Sequence, residues 1–262
     1  VNPTHRRIGW GGVAVAACVA LSAPALAGAP KVAQNFPFHS APAAPASTDP
    51  LRDGQKAYLR GDFSAAMQLL RPLAEQGSAD AQAYLGLMYD NGQGVSRDYA
   101  EAARWYRKGA EGGNVTAQSL LAGMYTEGRG VSKDDAETVK WLLKAAEQGS
   151  ATAQRLMAFR YMEGRGVPRD EERSAEWFFR AAGHGDAEAQ FNLGQIHAEG
   201  RGVPRDPVQA YLWFSLAAGN GADAQAGRLA VEARNKLAPR MTPAQIAQAK
   251  RLVREWKPEK DH

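Results

Sequence analysis

The chain is almost without cysteine. Cys18 is the single one in 262 residues, so neither a disulfide framework nor a thiolate metal site can be built within it. Histidine is sparse as well: beyond His5 there are His39, His184, His197 and His262, none with a partner at metal-ligand spacing. The sequence contains no Gly-x-Ser-x-Gly, no Ser-x-x-Lys and no dinucleotide fingerprint, and nothing in it implies a cofactor. An excess of one charge is also lacking. Lys plus Arg number 32 against 28 Asp plus Glu, and the surplus shrinks further once Arg6 and Arg7 are set aside with the N-terminal segment. A near-neutral balance argues against a nucleic-acid partner.

No apolar run reaches the ~18 to 20 residues of a membrane span. The longest, from Ile8 to about Ala23, follows the basic His5-Arg6-Arg7 and precedes Ala25-Leu26-Ala27. This order of basic head, apolar run and small-x-small site is that of an export signal. Residues 1–27 are therefore expected to be removed, leaving a periplasmic protein. Secretion is one alternative. Another is a lipid anchor on Cys18, since Val15-Ala16-Ala17-Cys18 resembles a lipoprotein processing box. Residues 28–50 are rich in Ala and Pro, without helical or strand period, and read as a disordered tether.

What the chain does have is a repeat. The pentapeptide EGRGV stands at Glu127, Glu163 and Glu199, and NGQGV at Asn91 is its altered copy, a step of thirty-six residues each time. In the same register fall Gly94, Gly130, Gly166 and Gly202, then Asp98, Asp134, Asp170 and Asp206, then Trp105, Trp141, Trp177 and Trp213. Four full repeats cover 77–112, 113–148, 149–184 and 185–220. Residues 51–76 form an opening helical repeat without the glycine loop, and 221–262 a degenerate repeat with a capping helix.

Each repeat reads as two helices. Ser78, Asn114, Ser150 and Asp186 share one position and belong to the N-cap set. The repeated Asp opens the second helix, with capping-box spacing to Glu101 and Glu137. Apolar residues three and four apart (Ala81, Leu85, Met88, Tyr89; Ala102, Trp105, Tyr106, Ala110) give each helix one buried stripe. Small residues at Gly86, Ala122, Ala158 and Gly194 are expected to admit a neighbouring backbone. Between the helices the first glycine ends helix A and the second turns the chain. A phosphate loop would need a preceding strand and a following Lys-Ser or Lys-Thr, so these glycines are punctuation. Near the C-terminus Thr242-Pro243-Ala244-Gln245 starts a helix whose apolar face is Ile246, Ala249, Leu252, Val253 and Trp256. Lys250, Arg251 and Arg254 would then face water.

The pattern Gly-x-x-x-Ala-Gln-x-x-Leu-Gly-x-x-Tyr, Gly-x-Gly-Val-x-x-Asp and Trp-x-x-x-x-Ala resembles the SEL-one-like repeat (SLR) family of tetratricopeptide-like solenoids. The resemblance runs from about Leu51 to Ala238 and implies an all-α, right-handed α/α solenoid. It also implies that one face of the first helices lines a concave groove. The residues there differ from repeat to repeat: Ala83, Ser119, Arg155 and Phe191; Leu87, Gly123, Phe159 and Gln195; Asp90, Thr126, Met162 and Ala198. Mixed chemistry on a fixed scaffold suits a binding surface, although an idle solvent face would look the same.

The expectation is a monomeric, non-enzymatic scaffold of the bacterial cell envelope that binds a protein or peptide. Its contacts would fall on Ala83, Leu87, Asp90, Ser119, Arg155, Phe159, Met162, Phe191 and Gln195. Two rivals stay open: an envelope enzyme acting on peptidoglycan or β-lactams, and a polyanion-binding module. The second would use Arg129, Arg165 and Arg201 in the loops with Arg97, Lys133, Arg169 and Arg205 beside the Asp caps. Glu127, Glu163 and Glu199 could instead balance the loop arginines.

Overall fold

The sequence forms helices wherever a cap precedes an apolar stripe, and a computed structural model shows where each begins. It describes residues 49–219 and 224–258; the expected export signal with Cys18, and the expected tether up to residue 48, lie outside the described residues. All regular structure among the described residues is helical. The opening pair is α1 (Pro50–Leu59) and α2 (Phe63–Glu75). Four pairs of thirteen-residue helices follow: α3 (Ala79–Asn91) with α4 (Tyr99–Glu111), α5 (Val115–Glu127) with α6 (Asp135–Glu147), α7 (Ala151–Glu163) with α8 (Glu171–Gly183), and α9 (Ala187–Glu199) with α10 (Pro207–Gly219). Then come α11 (Ala224–Leu237), a single 3₁₀ turn (Ala238–Arg240) and α12 (Pro243–Glu255). From α1 to α11 each helix packs on the next in sequence, the arrangement of an α/α solenoid, and α12 folds back onto α10.

The helix starts are the capping residues. Ser78, Asn114, Ser150 and Asp186 each accept a backbone N–H three residues on, and Asp98, Asp134 and Asp170 do the same at the second helices. The reciprocal capping box is completed at Thr242 and Gln245. At the two spacings read from the sequence the glutamate turns forward instead. Glu137 accepts from Trp141 Nε1 at 3.0 Å and from Lys140 at 2.7 Å, and Glu101 pairs with Arg104 at 3.1 Å.

The glycine loop has a second task besides turning. Gly128 takes φ 75° and closes α5 in the left-handed conformation that glycine adopts without penalty. Gly130, also left-handed at φ 65°, lies so close to the preceding repeat that a Cβ would overlap the carbonyl of Tyr99, the first residue of α4. Gly166 meets Asp135 and Gly202 meets Glu171 in the same way. The second glycine is thus the place where one repeat's loop touches the backbone of the previous repeat.

Other repeated residues also tie the helices together. Gln82, Gln118, Gln154 and Gln190 are buried, and each donates through Nε2 to the carbonyl eight residues back, at 2.9 to 3.2 Å. That carbonyl ends the preceding helix, where no intrahelical donor remains. Gly86 and Gly194 admit a ring rather than a backbone: a Cβ at Gly86 would strike Tyr106, and one at Gly194 would lie 2.6 Å from the Phe214 ring. All four repeat tryptophans are buried. A cation three residues on lies over three of them, Lys108 on Trp105 at 4.4 Å, Lys144 on Trp141 and Arg180 on Trp177 at 4.6 Å. After Trp213 that place is taken by Leu216, and Leu252, Val253 and Trp256 of α12 join the same apolar cluster.

Candidate functional site

The candidate residues lie on the first helices of the repeats, and the structure divides them by what they touch. Ala83 is 4% exposed and belongs to the core. Asp90, its side chain 10% exposed, pairs with Arg129 of the next repeat at 3.1 Å and accepts from Tyr106 Oη at 3.4 Å. Burial first, and then the Asp90 carboxylate, push the Tyr106 hydroxyl far above its usual range. Ser119 donates to the Val115 carbonyl at 3.0 Å. Arg155, 17% exposed, bridges Asp186 at 3.0 Å and Glu188 at 2.7 Å, fastening the third repeat to the fourth. Phe191 packs on Phe214, its ring centre 5.9 Å away.

The remaining candidates are open on one side. Leu87, Phe159 and Met162 are half-buried and rest on the main core, with Phe159 set edge-on to Phe178 at 5.1 Å. Gln195 is half-buried as well. Leu120 and Leu156, one turn earlier on α5 and α7, share this half-buried state; the sequence reading passed over them, although their spacing of three from Gly123 and Phe159 was the available signal. Gly123 stands in the same column as Leu87 and Phe159, and a Cβ there would meet nothing within 4 Å. Gly86, Gly109 and Gly194, also within first or second helices, each face an atom that a Cβ would press on.

The loop arginines are engaged with acids. Arg129 also pairs with Glu127 at 2.7 Å, Arg165 with Asp135 at 3.1 Å and Glu163 at 3.8 Å, and Arg201 with Glu199 at 2.8 Å. Arg169 pairs with Glu171. Arg160 is an unexpected member of this set. It fills the slot of Met88, Met124 and Ile196, is 9% exposed, and bonds Asp135 and Thr126 at 2.7 Å each. Burial, with Arg165 nearby, lowers its pKa. On Asp135 burial opposes the charge, but Arg165 and Arg160 together hold the carboxyl below its ordinary value. His197 occupies the slot of Tyr89, Tyr125 and Tyr161, half-buried, and burial lowers its pKa while Asp206 pulls the other way. Among the described residues no three His, Cys, Asp or Glu side chains are placed to hold a metal ion, and no helix is long and apolar enough to cross a membrane.

Capped helical hairpins stacked in thirty-six-residue steps, with the glycine loop of one docked on the repeat before it, define the class: a helical-repeat solenoid. The Sel1 repeat family model matches residues 51–78, 79–114, 115–150, 151–186 and 187–221, and the chain belongs to that family. It is similar to a Sel1 repeat protein from Oxalobacter formigenes, with 30% identity and a TM-score of 0.65 over 81% of this chain and 96% of the other. A protective antigen of uropathogenic Escherichia coli with an SLR fold is also 30% identical, at a TM-score of 0.50, over 79% of this chain and 52% of its own length. No curated protein matches the chain. Sel1-repeat proteins are typically non-enzymatic scaffolds that mediate protein–protein interactions.

Proposed function

We propose that the chain is an exported scaffold of the bacterial cell envelope that holds a protein or peptide segment in the concave groove lined by α3, α5, α7 and α9. The observation that carries this reading is Gly123. A glycine inside a helix costs about 1 kcal/mol relative to alanine. Here no packing contact within the fold requires it, because the space over it is empty. Leu87 and Phe159 hold the equivalent positions of the repeats on either side, and both keep an open face. A notch with apolar neighbours fits an apolar side chain of a bound segment, with Gln195 farther along to hydrogen-bond its backbone.

Arg155 plays a different part from the one expected of a groove contact. Its ion pairs fasten two repeats, so its replacement tests stability as much as binding. The better test is Gly123→Leu, which fills the notch, beside Phe159→Ala, which enlarges it. Panning peptides displayed on phage against the wild type, then measuring the selected peptides on each variant, reads the groove directly. Affinity lost by at least tenfold in Gly123→Leu, with helix content unchanged, supports the proposal. Selected peptides that bind the variants equally well would place the interaction elsewhere on the molecule.

A further inference from the structure

The loop arginines Arg129, Arg165 and Arg201 are held by acids, whereas a cluster of exposed cations lies together on the last helix. Residues 49–219 contain 20 Lys and Arg against 23 Asp and Glu, whereas residues 221–262 contain 9 against 5. The repeat array is slightly acidic, and the C-terminal segment basic. Helix α12 shows how the cap presents this charge. Its inner face, with Ala249 fully buried and Ile246, Leu252, Val253 and Trp256 half-buried, is packed away, in large part on α10. The opposite face carries Ala244, Ala247, Gln248, Arg251 and Arg254 around one shallow depression, with Lys250 and Lys257 exposed alongside. Arg251 and Glu255 approach only to 3.9 Å, both more than 60% exposed. Lys250 and Arg254 form no ion pair among the described residues, so the face keeps nearly all of its charge.

We infer that this outer face of α12 docks on an anionic phospholipid surface. All five residues around the depression come from one helix, so the face is convex and has no opposing wall to enclose a polymer strand. A broad, flat anion array is the partner that meets such a face along its whole length. From Ala244 to Arg254 the helix rises roughly 15 Å, about twice the ~8 Å Debye length at physiological salt, so several headgroups are engaged at once. Ala244 and Ala247 leave the helix low between the longer side chains, and the guanidinium fork suits phosphate oxygens. The apolar side of α12 is already occupied by the core, so the contact is electrostatic and peripheral, without insertion. This docking is independent of the groove and leaves it free to hold a partner near the membrane.

Co-sedimentation of the full chain with phosphatidylcholine vesicles, with and without phosphatidylglycerol, tests the inference. Binding is expected only to the phosphatidylglycerol vesicles. It should collapse between about 0.1 M and about 1 M salt, as the Debye length shrinks from ~10 to ~3 Å. Each basic residue near an anionic surface contributes about fivefold in partitioning, so Arg251→Glu with Arg254→Glu should lower it by at least tenfold. Lys56→Glu with Arg104→Glu changes net charge equally at exposed sites outside the cap and should leave partitioning within about twofold of the wild type, since these sites add no cation at the docked face. Equal losses in both double variants would reduce the effect to net charge and overturn the assignment. So would failure to sediment with phosphatidylglycerol vesicles alongside retention on immobilised polyglutamate, which would identify an acidic polypeptide as the occupant.

Discussion

Arg160 is a charged residue in a hydrocarbon slot, since Met88, Met124 and Ile196 fill the equivalent place. Its guanidinium is satisfied by Asp135 and Thr126, yet a buried ion pair seldom outperforms well-packed apolar atoms of similar volume. Arg160→Met is therefore expected to leave stability unchanged or raise it by about 1 to 3 kcal/mol. Asp135→Asn leaves two guanidinia facing a neutral amide and should cost about 2 kcal/mol. Urea denaturation of the two variants checks both signs, and a large loss in Arg160→Met would show the pair to be a true stabiliser. His197 gives a pH-dependent counterpart. Its folded pKa lies below the ordinary value of 6.5, chiefly through burial, so the unfolded chain takes up a proton first as the pH falls. The stability present above pH 6.5 is lost on acidification through the folded pKa and then levels off. His197→Tyr restores the column residue and does not titrate there. The melting temperature of the wild type should thus fall relative to that of the variant between about pH 7 and 5, and parallel curves would remove His197 as the cause.

In the loops on either side of α5, two left-handed glycines carry different loads. Gly113 has φ 90° with nothing near its missing Cβ, whereas Gly130 has φ 65° and lies against the Tyr99 carbonyl. Alanine at Gly113 should cost only the left-handed penalty, about 1 to 2 kcal/mol. At Gly130 the same penalty is joined by displacement of the loop from the preceding repeat, about 3 to 4 kcal/mol in all. Chemical denaturation separates these values, and equal losses would mean that the loop yields freely. This difference also marks how far the sequence could be read. Caps, stripes and period are local and were legible, and with them the all-helical solenoid. The close approach of Gly130 to Tyr99, the Gln118 bond to the Ala110 carbonyl and the Asp90–Arg129 pair join residues brought together only by stacking. In the candidate site, heterogeneity alone did not separate Arg155 and Asp90, which fasten repeats, from Leu87 and Phe159, which keep an open face. Both kinds vary between repeats, because a bridge needs only its own partner and an open residue needs none.

A solenoid buries each hairpin against two neighbours, so its last hairpin must either be polar on the outside or be covered. The chain covers it, and α10 shows the consequence. Its sequence PVQAYLWFSLAAG contains no charged residue, and Val208, Leu212, Trp213, Phe214 and Leu216 are all buried. In α4, α6 and α8 the same outer positions include Lys108, Lys144 and Arg180, which shield a tryptophan while staying in water. Where the shield is hydrocarbon, the charge moves outward by one layer to Lys250, Arg251 and Arg254. Ending the chain after Gly219 should accordingly uncover an apolar flank while leaving every repeat intact. With ~1.5 to 3 kcal/mol for each large side chain returned to water, the truncated protein should lose about 3 to 6 kcal/mol and self-associate through α10. Size-exclusion chromatography and urea denaturation read the two effects separately. Leu212→Lys with Leu216→Lys in the truncated chain, recreating Lys140 and Lys144 on the outer face of α6, should restore the monomer. If it instead remained associated, the self-association would come from a surface other than α10. A truncated chain that stayed monomeric with an unchanged denaturation midpoint would mean that α11 and α12 serve only as a carrier of charge.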